Sequence, residues 1–189
     1  MSAQRGFHHD ARRCTGCRTC LMACRSEHRL EPLLTWREVY AYREDPRSPG
    51  RHYLSVACSH CEHPECLRVC PGGAYQKRAD GVVTQDPSRC TGCRLCTLAC
   101  PHGAPRYSAR QHKTSKCGFC AERLAAGNPP ACVAACPTGA LTMIDLHTFS
   151  DPNALTTVPG FPGSDLTNPS VRFTVPEPVS DERGEPDVV

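Results

Sequence analysis

The sequence predicts an α+β fold of small β-hairpins and short helices, held together from the inside by something other than an apolar core. Three observations carry that expectation. Cysteine supplies 16 of the 189 residues while aromatic residues supply only 6% of the chain, which leaves too few large apolar side chains to fill an ordinary core. The cysteines fall into four groups that each open with C-x2-C and close with C-x3-C. The links between those groups read as short strands around turns.

The four motifs are Cys14, Cys17, Cys20, Cys24; then Cys58, Cys61, Cys66, Cys70; then Cys90, Cys93, Cys96, Cys100; and finally Cys117, Cys120, Cys132, Cys136. Only the gap between the two halves varies, so the chain carries an internal repeat read fourfold. The resemblance is closest between "RCTGCRTCLMAC" at 13–24 and "RCTGCRLCTLAC" at 89–100. Both have the C-x2-C-x2-C-x3-C run of bacterial ferredoxins, and Pro71, Pro101 and Pro137 follow the last cysteine of motifs two, three and four. Proline there is expected to hold the preceding cysteine extended and to end the helical turn. Motif one departs, with Arg25 in that place.

Along the chain, "RGFHHD" reads as a strand whose natural partner is "GALTMID" after Pro137, which brings motif four beside motif one. Between motifs one and two, "LLTWREVYAYRED" and "RHYLSVAC" predict two strands flanking a turn at "PRSPG". Trp36, Tyr40 and Tyr42 are read as packing within that hairpin. After Pro71, "AYQK" and "VVTQ" flank a turn at Ala79 to Gly81 and predict a hairpin joining motifs two and three. From about Leu146 the chain turns rich in Pro, Thr, Ser and Asp without periodicity, and is expected to be an extended tail that orders only against a partner. The expected organisation is therefore a ferredoxin-like half from 1–24 and 111–145, a hairpin insertion at 25–57, a second ferredoxin-like half at 58–110, and the tail at 146–189.

A cubane iron-sulfur cluster needs four thiolates converging from different directions. A tight C-x2-C-x2-C loop wraps three corners, but the fourth cysteine points away, and in two-cluster ferredoxins it binds the other cluster. Motifs must then pair, either one with two and three with four, or one with four and two with three. The two expected strand pairings favour the second arrangement. It assigns Cys14, Cys17, Cys20 and Cys136 to centre A, and Cys24, Cys117, Cys120 and Cys132 to centre B. Centre C takes Cys58, Cys61, Cys66 and Cys100, and centre D takes Cys70, Cys90, Cys93 and Cys96. The cofactor expectation is four [4Fe-4S] clusters. Zinc is the alternative, because it also accepts four thiolates, but zinc sites set their C-x2-C pairs well apart.

Other functions find little support. The N-terminal "MSAQRGFHHDARRC" has no apolar run and is expected to carry no secretory signal, which counts against a disulfide framework. Arg12-Arg13 is not read as a twin-arginine signal, because cysteines follow where a hydrophobic run should be. No stretch approaches the roughly 18 to 20 apolar residues of a transmembrane helix. The formal charge of +3 would fall by about 8 if four clusters were bound through thiolates. Arg13, Arg18, Arg89, Arg94 and Lys116 stand beside or inside the motifs, where that negative charge would sit. His60 and His63 lie within motif two, in reach of sulfur. There is no nucleophile–base pair, no GxGxxG, no P-loop and no catalytic carboxylate pair, so no catalytic residue is assigned and no nucleic acid partner is expected. Such a chain carries electrons and leaves substrate chemistry to another subunit.

The motif series CxxCxxCxxxC, CxxCx4CxxxCP, CxxCxxCxxxCP and CxxCx11CxxxCP, in this order, resembles the iron-sulfur subunit of the dimethyl sulfoxide reductase family. The resemblance runs from "GFHHDARRCTGCRTC" through "CPTGAL", and "LTNPSVRF" in the tail looks like the end of that subunit. It implies a double bacterial-ferredoxin-like fold, with centres A and B facing a molybdopterin catalytic subunit. Centres C and D would face an integral membrane anchor that oxidises quinol. Some relatives replace one motif-three cysteine by tryptophan and hold a three-iron cluster; here Cys93 stands, so four cubanes are expected. The family also implies membrane association through a partner, with folded co-export to the extracytoplasmic face, although a cytoplasmic face fits the residues equally. The alternatives are the electron-transfer subunit of a hydrogenase or formate dehydrogenase complex, a free polyferredoxin, and a zinc-bound structural protein.

Overall fold

The computed structural model describes residues 3–42, 52–163 and 165–176. Its architecture is α+β: short helices and four small sheets. Strand β1 (Arg5–Asp10) is followed by α1 (Thr19–Glu27), by β2 (Glu38–Tyr42) and β3 (His52–Val56), and by α2 (Glu65–Arg68). Next come β4 (Tyr75–Lys77), β5 (Val83–Gln85), α3 (Leu95–Ala99), β6 (Arg106–Ser108) and β7 (Lys113–Ser115). The described chain finishes with α4 (Ala121–Ala125), α5 (Ala131–Ala134), β8 (Leu141–Asp145) and β9 (Val171–Thr174).

Proline sets helix length. Helix α3 stops at Cys100, which the following Pro101 holds extended at φ −79°, ψ 111°. Helix α1 has Arg25 where that proline would stand, and it runs on to Glu27, nine residues in all against five in α3. The repeated TGC-Arg loops before these helices share their backbone. Gly16 and Gly92 have φ of +72° and +76°, and Arg18 and Arg94, which cap α1 and α3, have φ of +60° and +63°. Glycine is required at 92 on two counts, since a Cβ there would stand 2.2 Å from the His112 carbonyl oxygen.

The hairpins lie where the residues placed them. β1 pairs antiparallel with β8 with Phe7 opposite Met143, β2 with β3, and β4 with β5 around the turn at 79–81. The "PRSPG" turn lies outside the described residues. Helix α1 packs against α5, and α2 against α3, so motif one lies with motif four and motif two with motif three. The hairpin of β6 and β7, which joins motifs three and four, was not anticipated; "RYS" and "KTS" are only three residues each and carry no Gly at their turn. Trp36 packs on the core and donates from Nε1 to Ser115 Oγ at 3.0 Å, whereas Tyr40 is about half exposed.

The tail requires a correction. Its described residues pack on their own chain: β9 pairs in parallel with β1, Phe7 opposite Val171, giving a sheet of order β8-β1-β9. Its backbone groups find partners in the motif-two loop, where Glu62 N donates to Asn168 O at 2.9 Å, His63 N to Thr167 O at 3.0 Å, and Ser170 N to Ser59 O at 2.8 Å. Phe173 is fully buried, and Phe161 packs edge-on against it and stacks on His102. A parallel partner so distant in sequence leaves no local signal. The main core gathers Phe7, Leu54, Val82, Phe119, Leu141 and Phe173 among cysteines of several motifs, with Phe7 and Phe119 stacked at 4.2 Å.

Gly92 and Gly127 share φ +76°, but nothing lies within 4 Å of a Cβ at Gly127. Gly127→Ala is expected to cost only the left-handed backbone strain, about 1–2 kcal/mol. Gly92→Ala is expected to lose a further 1–3 kcal/mol, roughly, from the clash with backbone. Urea unfolding of the two variants at matched iron content checks the difference; equal midpoints would contradict it.

Candidate iron-sulfur cluster sites

None of the sixteen cysteines is bonded to another in a disulfide. Cys14, Cys17 and Cys20 line one small cavity together with Cys136 from the far end of the cysteine array. Cys58, Cys61 and Cys66 line another together with Cys100 of motif three. In each case the loop of one motif is completed by the last cysteine of another. Burial raises the Cys24, Cys117 and Cys120 thiols, and nearby sulfur charge adds to it, from Cys132 and Cys120 on Cys24, from Cys24 and Cys132 on Cys117, and from Cys132 on Cys120. Cys96 is buried in a second core with Cys70 and Cys90 packed against it, while Cys93 is exposed. Charge on Cys58 also raises Cys117, which places the two cysteines near each other where the two pairs of motifs meet.

Burial pushes the Cys24 and Cys66 thiols up to about 12 and Cys61 up to about 11, with neighbouring cysteines adding to the shift. Groups so placed keep their protons unless positive charge arrives, and metal binding supplies it as the thiols deprotonate. Among the described residues no three His, Cys, Asp or Glu converge on a point that one ion would occupy. The cysteines instead stand in sets of four spread around shared cavities, each set drawing on two motifs. The donor chemistry and the spacing together fit a polynuclear iron-sulfur centre better than a single zinc ion.

Polar groups stand against the sulfurs. Ser55 Oγ on β3 lies 3.2 Å from Cys20 Sγ, and Thr114 Oγ1 on β7 lies 3.4 Å from the sulfurs of both Cys90 and Cys96. The amides of Ala74 and Phe119 donate to Cys70 Sγ at 3.3 Å and Cys117 Sγ at 3.4 Å. His28 Nε2 lies 3.2 Å from Cys120 Sγ. Sequence reasoning overlooked Ser55, Thr114 and His28. The last had a signal: Arg25 in place of proline lets α1 continue, and His28 is its C-cap. His60, expected near sulfur, instead accepts the Val83 amide on Nδ1 at 3.1 Å and packs edge-on against Phe119.

The basic residues flanking the motifs take up related positions. A Cβ built on Gly139 would stand 2.9 Å from Arg13 Nη2, and one on Gly73 would stand 2.8 Å from Arg89 Nη2. Each arginine thus lies across a glycine in the turn that follows the proline of the neighbouring motif, motif four for Arg13 and motif two for Arg89. Arg94 lies over the Tyr107 ring at 3.6 Å. Lys116 is only 4% exposed, lines the cavity of Cys58 and donates to the Cys117 carbonyl at 3.0 Å.

A hydroxyl shared by two sulfurs withdraws negative charge from them and favours the reduced state of a centre they hold. Thr114→Val is therefore expected to retain wild-type iron and to lower the midpoint potential of one centre selectively, as read by EPR during a redox titration. Four unchanged midpoints would show that the Thr114 hydroxyl has no such effect.

Comparison with known proteins fits this geometry. Residues 50–146 match the model of the 4Fe-4S dicluster domain. The chain is 39% identical over 181 residues to the B subunit of the anaerobic dimethyl sulfoxide reductase of Escherichia coli (strain K12), covering 90% of this chain and 88% of the relative. It is 36% identical over 158 residues to the B subunit of the polysulfide reductase of Wolinella succinogenes, covering 82% and 81%. It is also 39% identical over 137 residues to the thiosulfate reductase electron transfer subunit PhsB of Salmonella typhi, covering 70% and 71%. Sixteen thiols in four repeated motifs, gathered from across a sequence that shows no catalytic constellation, are what such a subunit requires: this chain belongs to the iron-sulfur electron-transfer subunits of the dimethyl sulfoxide reductase family, non-catalytic chains that carry 4Fe-4S clusters.

Proposed function

We propose that the chain carries electrons between a quinol-oxidising membrane anchor and a molybdopterin catalytic subunit, as a double ferredoxin with motifs one and four in one half and motifs two and three in the other. Cys14, Cys17, Cys20 and Cys136 hold centre A, and Cys24, Cys117, Cys120 and Cys132 hold centre B. Cys58, Cys61, Cys66 and Cys100 hold centre C, and Cys70, Cys90, Cys93 and Cys96 hold centre D. The observation that carries the reading is the cavity shared by the motif-one loop and Cys136. The packing of α1 on α5 and of α2 on α3 also supports it.

When bound, such clusters supply one-electron redox capacity. The protein's own contribution is to bury the sulfurs, orient them, and place hydroxyls, amides and cations against them. No helix among the described residues is long and apolar enough to cross a membrane, and contact with a membrane goes through a partner. Leu67, Leu95 and Leu98 stand exposed on the packed pair α2 and α3, which suits docking of the half with centres C and D on an apolar anchor. Centres A and B then face the catalytic subunit, on the extracytoplasmic side after folded co-export.

Two measurements test the assignment. Anaerobic purification with partners is expected to yield about 16 iron per chain and near-stoichiometric molybdenum or tungsten. Cys136→Ser is expected to remove or convert the centre held by Cys14, Cys17 and Cys20 in EPR while leaving the Cys117 centre intact. Loss of the Cys117 centre alone would reverse the pairing.

A further inference from the structure

Arg37 is buried, only 2% exposed, at the entry to β2 in the insertion between motifs one and two. Its Nη1 donates to the Ser55 carbonyl at 3.2 Å and to Ser55 Oγ at 3.1 Å, and that same hydroxyl lies 3.2 Å from Cys20 Sγ. The guanidinium carbon sits 4.6 Å over the Phe7 ring. Its Nη2 is buried with no hydrogen-bond partner.

A guanidinium cannot shed its charge, and an unpaired buried cation is strongly unfavourable. Burial disfavours the guanidinium charge, and Cys132, Cys117, Cys20 and Cys24 lie near enough that negative charge on their sulfurs, as when they hold a cluster, would favour it. One of these cysteines belongs to the cavity of Cys14 and three to the set of Cys24. The cation is thus buried beside the cysteine sulfurs, with one nitrogen of its guanidinium left without a hydrogen-bond partner.

We propose that Arg37 is a positioning residue for electron transfer: a fixed cation shared by centres A and B that binds no iron but raises their reduction potentials. The inference rests on the ligand sets proposed above. A positive charge at this place stabilises the more negative, reduced form of a neighbouring cluster, and the low local dielectric makes the effect large. Its uncommitted Nη2 is the group available to donate toward a sulfur of either centre.

The test is an EPR-monitored redox titration of the complete, partner-bound complex carrying Arg37→Gln or Arg37→Lys, with iron counted in each. Arg37→Gln at full iron is expected to shift the reduction equilibrium of centre A or B at least tenfold toward the oxidised form, about 59 mV for one electron. Centres C and D should move less, and Arg37→Lys should lie nearer the wild type. If Arg37→Gln fails to assemble, Arg37→Lys with full iron and near wild-type midpoints supports the charge role; failure of Arg37→Lys as well overturns it. Unchanged midpoints in Arg37→Gln at full iron, or equal shifts in both variants, also overturn it. Iron missing from the wild type would instead overturn the ligand sets beneath it.

Discussion

A loop as tight as C-x2-C-x2-C can turn three thiols toward one centre, but the helical turn that follows carries the fourth away. Most of the fold can be read as a response to that limit. The last cysteine of each motif must find a different loop, so the motifs have to be brought together in pairs. β1 and β8 do this for the two ends of the cysteine array, and the β4–β5 hairpin does it for the middle. The sheets are small because bringing motifs together is most of their work. Among the described residues the sheet of β8, β1 and β9 brings Phe7, Leu141, Val171 and Phe173 to the core, and β2 and β3 add Val39 and Leu54.

Electrostatics governs what remains. Buried thiols with elevated pKa values and a shortage of apolar packing make a poor interior until positive charge is added. The chain meets part of this need itself. Arg13 and Arg89 lie over the turns that follow the neighbouring motifs, Lys116 is buried beside Cys117, and Arg37 is buried near Cys20 and Cys24. Hydroxyls from Ser55 and Thr114 and amides from Ala74 and Phe119 complete the sulfur environment. Apart from Phe119, which lies between Cys117 and Cys120, these groups belong to strands, turns or loops outside the cysteine pairs they serve or at their margins, so the scaffold and the sites are one construction.

Departures from the repeat are informative. Motifs two, three and four end in proline, whereas motif one ends in arginine, and the longer α1 that results delivers His28 to Cys120. The insertion between motifs one and two has no counterpart in the repeat, and it supplies Trp36, Arg37 and Ser55 around the first and last motifs. Repetition builds similar loops, and the exceptions make their surroundings unequal.

The sequence by itself determined the broad class of the fold and the iron-sulfur character of the chain. Cysteine spacing is a local property, so the four motifs, which motifs lie together and three of the five strand pairs among the described residues were legible from residue types and turn signals. The structure decided what depends on residues distant in sequence. β9 finds β1 across the length of the chain, the β6–β7 hairpin lacks a turn glycine, and Ser55, Thr114, His28 and Arg37 acquire meaning only from the sulfurs that folding brings to them. A serine or an arginine looks the same in sequence whether it faces water or a buried thiolate; three-dimensional packing alone sets the local dielectric and the distance that separate the two.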